Sequence, residues 1–135
     1  MSISLISGAL ETALAAISPA IATAWENLNF TPPVASIPYQ EVNVLYATPD
    51  NKEYGANRIE LGYMQVKLMY PLNAGKGAAS TRAELIRTTF KRGNSFTSGT
   101  SVTTVTQTPS INIIGVELDR FAVIVKIPFH SHQGA

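Results

Sequence analysis

Between Arg58 and Tyr70 the chain reads RIELGYMQVKLMY, its longest stretch with the two-residue period of a strand. Successive side chains of a strand leave on opposite sides. Gly62, Met64, Val66, Leu68 and Tyr70 therefore share an apolar side, while Leu61, Tyr63, Gln65, Lys67 and Met69 share the other. So long a strand is stable only inside a sheet, and its apolar side must meet a covering layer. The rest of the chain has to provide both.

Two segments carry the helical period that such a cover needs. Ile3, Ile6, Leu10, Ala13 with Leu14, and Ile17 recur at spacings of three and four, which puts them on one face. Ser2 or Ser4 can cap the start, and Pro19 forces Ser18 out of helical space, so a helix is predicted over about 3–18. Glu11, Ser7 and Thr12 interrupt the apolar run, and no Lys or Arg precedes Lys52. That pattern fits neither a secretory signal nor a span of about 20 apolar residues. It predicts an amphipathic helix in a protein made and kept in the cytoplasm, with no membrane partner. A second helix is predicted over about 78–92, with Ala79, Ala83, Ile86 and Phe90 inward and Arg82, Glu84, Arg87 and Lys91 facing water. Gly93 then takes the left-handed position after the helix, and Lys91 and Arg92 oppose its negative end.

The remaining segments read as strands. Those of the first half fall within about 23–70: a short extended piece at Thr23–Asn27, then Tyr39–Tyr46, then the long run. Phe30-Thr31-Pro32-Pro33 is a loop or an edge, since adjacent prolines do not fit a central strand. Thr48–Asn57 is a polar, turn-rich loop. C-terminal strands are predicted within about 100–128, at Val102–Thr108, Ile111–Val116 and Phe121–Ile127. The expectation is one α+β domain over 1–135, a largely antiparallel β-sheet with two main α-helices packed on one face.

Composition narrows the function. Ten Lys and Arg face nine Asp and Glu, a net charge of +1, which argues against coating nucleic acid. Cysteine is absent, which removes disulfides, thiolate metal sites and Cys nucleophiles. Only 14% of residues are charged, against about 25% in typical soluble domains. A nearly neutral, weakly charged surface favours association.

No chemical motif survives inspection. Gly75-Lys76-Gly77 precedes a helix, but the phosphate-binding pattern needs a Gly where Tyr70 stands and a Ser or Thr where Gly77 stands. Gly93-Asn94-Ser95-Phe96-Thr97 lacks the closing Gly of a nucleophile elbow and reads as a helix cap and turn. His130 and His132 are too few for zinc and read as a solvated tail. Glu117 and Asp119 fall in a predicted turn beside Arg120, close enough for a local ion pair. Arg82, Arg87, Lys91 and Arg92 read as a solvated helix face. Asn29-Phe30-Thr31 fits a glycosylation sequon, which has no meaning without secretion. No catalytic, cofactor or metal site is expected. Trp25 and the Phe30–Pro33 run suit a contact surface instead, because aromatic and proline side chains bury large areas at low entropic cost.

The residues in order also resemble a known family. Trp25-Glu26-Asn27, Phe30-Thr31-Pro32-Pro33 and Pro38-Tyr39 are similar to the opening signature of the bacteriophage tail terminator-like family. The likeness continues through Arg58 and Gly62–Val66, Tyr70-Pro71, Gly75-Lys76-Gly77, Ala83, Phe90–Gly93, Phe96, Thr108-Pro109-Ser110, Asp119-Arg120-Phe121, Val125 and Ile127-Pro128-Phe129. Val34–Ile37 and the apolar Ile111-Asn112-Ile113-Ile114 depart from it. The resemblance implies a structural virion protein, not an enzyme: a homohexameric ring that caps the tail tube, stops its growth and receives the head-completion or connector protein. Its partners would be copies of itself, the tail tube protein and the connector, with at most passive contact with DNA in the lumen. Expected contacts are Trp25, Phe30, Pro32, Pro33, Tyr39 and Tyr54, with Lys76, Lys91 and Arg92 as weaker ones. Another connector or tail-completion subunit is the alternative within phage structure. A small enzyme with a pocket above the sheet, or a nucleic-acid adaptor, is the alternative outside it.

Overall fold

A computed structural model describes residues 3–17, 21–25, 30–31, 33–34, 37–47, 58–72, 75, 77–98, 101–117 and 119–133. The elements are α1 (Ile3–Ala15), β1 (Ala22–Ala24), β2 (Tyr39–Tyr46), β3 (Arg58–Pro71), α2 (Gly77–Thr89), β4 (Ser95–Ser98), β5 (Ser101–Val105), β6 (Ser110–Glu117) and β7 (Arg120–Gln133). The long alternating run is the centre of the sheet. As β3 it pairs antiparallel with β7 along its whole length, from Arg58 opposite Gln133 to Pro71 opposite Arg120. On its other side β2 pairs antiparallel, Tyr39 opposite Met69 and Tyr46 opposite Gly62.

The sheet is mixed rather than uniformly antiparallel. β1 runs parallel to β2, with Ala22 opposite Tyr39. Parallel neighbours need a return connection of about a dozen residues or more, and the proline-rich stretch between β1 and β2 has that length. Seven strands in the order β1-β2-β3-β7-β5-β4, with β6 also on β7, make a half-barrel.

The far margin of β7 is divided. β6 occupies its N-terminal half, from Ser110 opposite Lys126 to Glu117 opposite Arg120. β5 takes the C-terminal half, from Thr103 opposite Ser131 to Val105 opposite Phe129. Pro128 sits at the division. Its carbonyl accepts the Thr106 amide at 3.0 Å, so its missing N–H faces the gap between β5 and β6, where no ladder bond is lost. The last strand therefore does not stop before Pro128 but runs on to Gln133, and the two histidines lie in it rather than in a solvated tail. Half-buried His130 stands between Leu61 and Thr104. Ser95–Ser98, expected to be a turn, is the edge strand β4, paired with β5 from Ser95 opposite Thr104.

Both helices contribute to one buried cluster with the expected side of β3. Ile6, Leu10 and Leu14 of α1 and Ala79, Ala83 and Ile86 of α2 join Met64, Val66 and Leu68, together with Val123, Val125, Ile127 and Phe129 of β7. Arg82 corrects the expected polar face of α2, for it is buried. It lies three residues after Ala79 and four before Ile86, so the helical period itself turns it inward. Burial pulls the Arg82 pKa down, opposed by the Tyr70 hydroxyl. The other end of α2 comes earlier than expected: the helix stops at Thr89, so Lys91 and Arg92 lie beyond its last turn. Gly93, at φ 90°, sits in a separate turn closed by the Asn94 amide on the Lys91 carbonyl. The Asn94 side-chain amide donates to the Thr89 carbonyl at 3.0 Å.

Gly62 marks a close approach between β2 and β3. A Cβ there would lie 2.1 Å from the Leu45 carbonyl oxygen, well inside van der Waals contact. The neighbouring Ala47 amide donates to the Leu61 carbonyl at 2.8 Å. Only glycine lets β2 and β3 close at this end.

Candidate interaction surface

The opposite side of the sheet carries a second, smaller cluster. Tyr39 of β2, Met69 of β3 and Ala122 of β7 are buried together, and Phe30 packs over them. The Phe30 and Tyr39 rings are 5.4 Å apart and tilted by 38°. Burial raises the Tyr39 phenol above its usual pKa, Glu41 adds to the rise and Arg120 opposes it.

Arg120 ties this cluster to the chain crossing it. The side chain is buried and its guanidinium lies 4.7 Å from the centre of the Tyr39 ring. It donates to three main-chain carbonyls: Ile37, Pro33 at 2.7 Å and Val34 at 2.9 Å. A planar cation with five donors is suited to gathering several acceptors at once. The expected ion pair of Arg120 with Glu117 or Asp119 is thereby replaced. Glu117 pairs with Lys67 on the same side of the sheet, and the guanidinium is turned to the loop backbone.

The expected contact residues divide among different places. Phe30 and Tyr39 are together in the second cluster, and half-buried Pro33 is held through its carbonyl. Trp25 instead packs against the main core. Lys91 and Arg92 are exposed after α2, where the Gly93 amide donates to the Val105 carbonyl. Val105 pairs with Phe129, nine residues from Arg120 along β7 and so roughly 30 Å away at strand rise. These basic residues and the aromatic cluster belong to opposite ends of the sheet. Pro32, Tyr54 and Lys76 lie outside the described residues.

A further feature was visible in the sequence only as an apolar oddity at Ile111–Ile114. β6 pairs with β7 alone among the described strands. Its Ile113, Ile114 and Val116 are 49%, 45% and 70% exposed. A bulge between Ile113 and Gly115, with Gly115 at φ 96°, breaks the ladder there. Val34, Ile37 and Leu72 are exposed at the same end, since Arg120 holds the first two by their carbonyls and pairs with Pro71, next to Leu72. Isolated surface aliphatics are ordinary, but an apolar corner meeting an open strand edge marks a contact surface.

Among the described residues no group of His, Cys, Asp and Glu is placed to hold a metal ion. No described helix is long and apolar enough to cross a membrane.

Fold and surface together define a small half-barrel protein with two helices and an exposed apolar strand margin. The family model for phage tail terminator protein matches residues 5–129, and the chain belongs to that family of structural phage tail proteins. A solved structure with 26% sequence identity superposes with a TM-score of 0.79, covering 100% of this chain and 98% of the other. That protein carries an identifier rather than a functional name, so it speaks for the fold. No curated protein matches the chain.

Proposed function

We propose that this protein is the ring-forming terminator of a phage tail tube. Copies assemble in the host cytoplasm into a homohexamer, which sits on the head-proximal end of the finished tube, blocks further addition of tube protein and receives the head-completion or connector protein. The family match over residues 5–129 carries the reading. The apolar corner around Arg120 supports it physically. A ring subunit needs two different complementary patches, because its interfaces are heterologous. Termination adds one requirement: one ring face must match the tube end while the other rejects a further tube subunit.

Under this reading Phe30 and the Pro32-Pro33 run form the outer contact with tube or neighbour. Tyr39 and Arg120 support that contact from below, and Trp25 braces β1 from the core side. The few cations leave DNA to pass the lumen without tight phosphate contacts.

The test is removal of the protein from an assembling phage. Tails of uncontrolled length without heads, restored to one length by supplying the chain, support the role. Tails of normal length and normal head attachment refute it. Native mass spectrometry of the purified chain separates the neighbouring role, since a twelvefold ring would indicate a connector.

A further inference from the structure

The order of the strands leaves two dissimilar open margins. β1 closes one side of the sheet, pairing with β2 alone among the described strands, and β6 lies open on the other side beyond β7. From Ser110 to Val116 the sequence SINIIGV has no charge and no proline, the usual devices that keep a strand edge from pairing. The bulge at Ile114 blunts only its later part and leaves Ser110–Ile113 regular.

Around this edge, Val34, Ile37, Leu72, Ile113, Ile114 and Val116 expose between 37% and 70% of their surface. This apolar surface is divided between the two faces of the sheet, with Ile113 and Val116 opposite Val123 and Phe121 on the helix side and Val34 and Ile37 held by Arg120 on the other. A strand added at this edge therefore meets apolar side chains on both faces. A net charge of +1 leaves little repulsion between like chains.

We propose that β6 of one copy adds to the β1 margin of the next copy. The main chain pairs along Ser110–Ile113, Ile113, Ile114 and Val116 are buried, and the sheet continues from subunit to subunit. The inference rests on the terminator reading and names the joint that would build its ring. Topology selects β1 over the other open edge, β4. β4 lies on the same side of the sheet as β6. A β6–β6 joint is isologous and stops at a two-fold dimer, and a β6–β4 joint sets two same-side margins against each other. By contrast, β6 on β1 joins opposite sides, continues the sheet and leaves a free edge at each end until a ring closes.

The test uses the full-length chain. Ile113→Lys with Val116→Lys places two charges on the exposed edge, at positions that leave the buried core untouched. The expected result is a single-chain mass by native mass spectrometry with an unchanged circular dichroism spectrum. A ring that persists in this variant overturns the proposal and leaves the terminator reading intact. A wild-type chain that never assembles, alone or on tubes, overturns both.

The absence of cysteine allows the joint to be mapped directly. Cys at Ala22 or Ala24 combined with Cys at Ser110, Asn112 or Ile113 spans the possible registers. Oxidation should give a ladder of crosslinked species up to the full ring. Assembled rings with no ladder in any combination, or dimers formed by Asn112→Cys alone, overturn the pairing.

Discussion

Replacing Gly62 by alanine should destabilise the protein, although the same change elsewhere in a strand does the reverse. Glycine weakens a strand interior relative to alanine by roughly 0.5–1 kcal/mol. At Gly62 the new Cβ would stand 2.1 Å from the Leu45 carbonyl oxygen. The obstacle is backbone, so no side-chain rotation relieves it, and β2 must move away from β3. Overpacking costs about 1–3 kcal/mol. Weakening of the adjacent Ala47-to-Leu61 bond adds about 1 kcal/mol. After the propensity gain a net loss of about 2–3 kcal/mol is expected. With an unfolding entropy of ~2.1 cal/mol/K per residue, 135 residues turn that loss into a fall in Tm of roughly 7–10 °C. Thermal unfolding followed by circular dichroism measures it, with Gly77→Ala as the control because nothing lies within 4 Å of a Cβ there. An unchanged or higher Tm for Gly62→Ala would refute the close approach and the register that produces it.

Arg120→Lys keeps the charge but cannot span three carbonyls, so hydrogen exchange should quicken over residues 33–39 with a stability loss of about 2 kcal/mol; unchanged exchange would remove Arg120 as the anchor. The raised pKa values of Tyr39 and Tyr70 mean that the unfolded chain releases these phenol protons first. Their contribution is whole below pH 10 and is lost as pH climbs above it. The urea midpoint of wild type should therefore fall more steeply above pH 10 than that of Tyr39→Phe/Tyr70→Phe, and parallel curves would contradict the assignment. Lys67→Met removes the ion pair with Glu117, yet a partly exposed pair contributes less than about 1 kcal/mol. Its Tm should stay within roughly 4 °C.

Periodicity was the strongest guide to the fold. The apolar side of β3 and the inward faces of both helices followed from spacing, because burial on one side imposes that spacing directly. Residue type points Arg82 to water, whereas its position between Ala79 and Ile86 turns it inward. Pro128 resembled a strand end, because whether a missing amide matters depends on which neighbour it faces. The parallel β1 and the edge strand β4, with three and four residues, are too short to show a period. On the second face, the packing of Phe30 on buried Tyr39 has only its aromatic residue types as a sequence signal. The tie that Arg120 makes between Tyr39 and the loop backbone has no such signal, since an arginine beside two carboxylates gives no sign that it will choose carbonyls 83 to 87 positions earlier. The β6 edge appeared only as an apolar departure, and nothing local says that a margin is open.

The grip of Arg120 on Pro33, Val34 and Ile37 involves their carbonyls alone. An anchor that reads main chain is indifferent to the side chains it holds, apart from the conformation they permit. Val34 and Ile37 can therefore drift in evolution toward whatever the facing protein demands while the segment keeps its place. Fixed attachment and variable outer chemistry are thus separated within five residues.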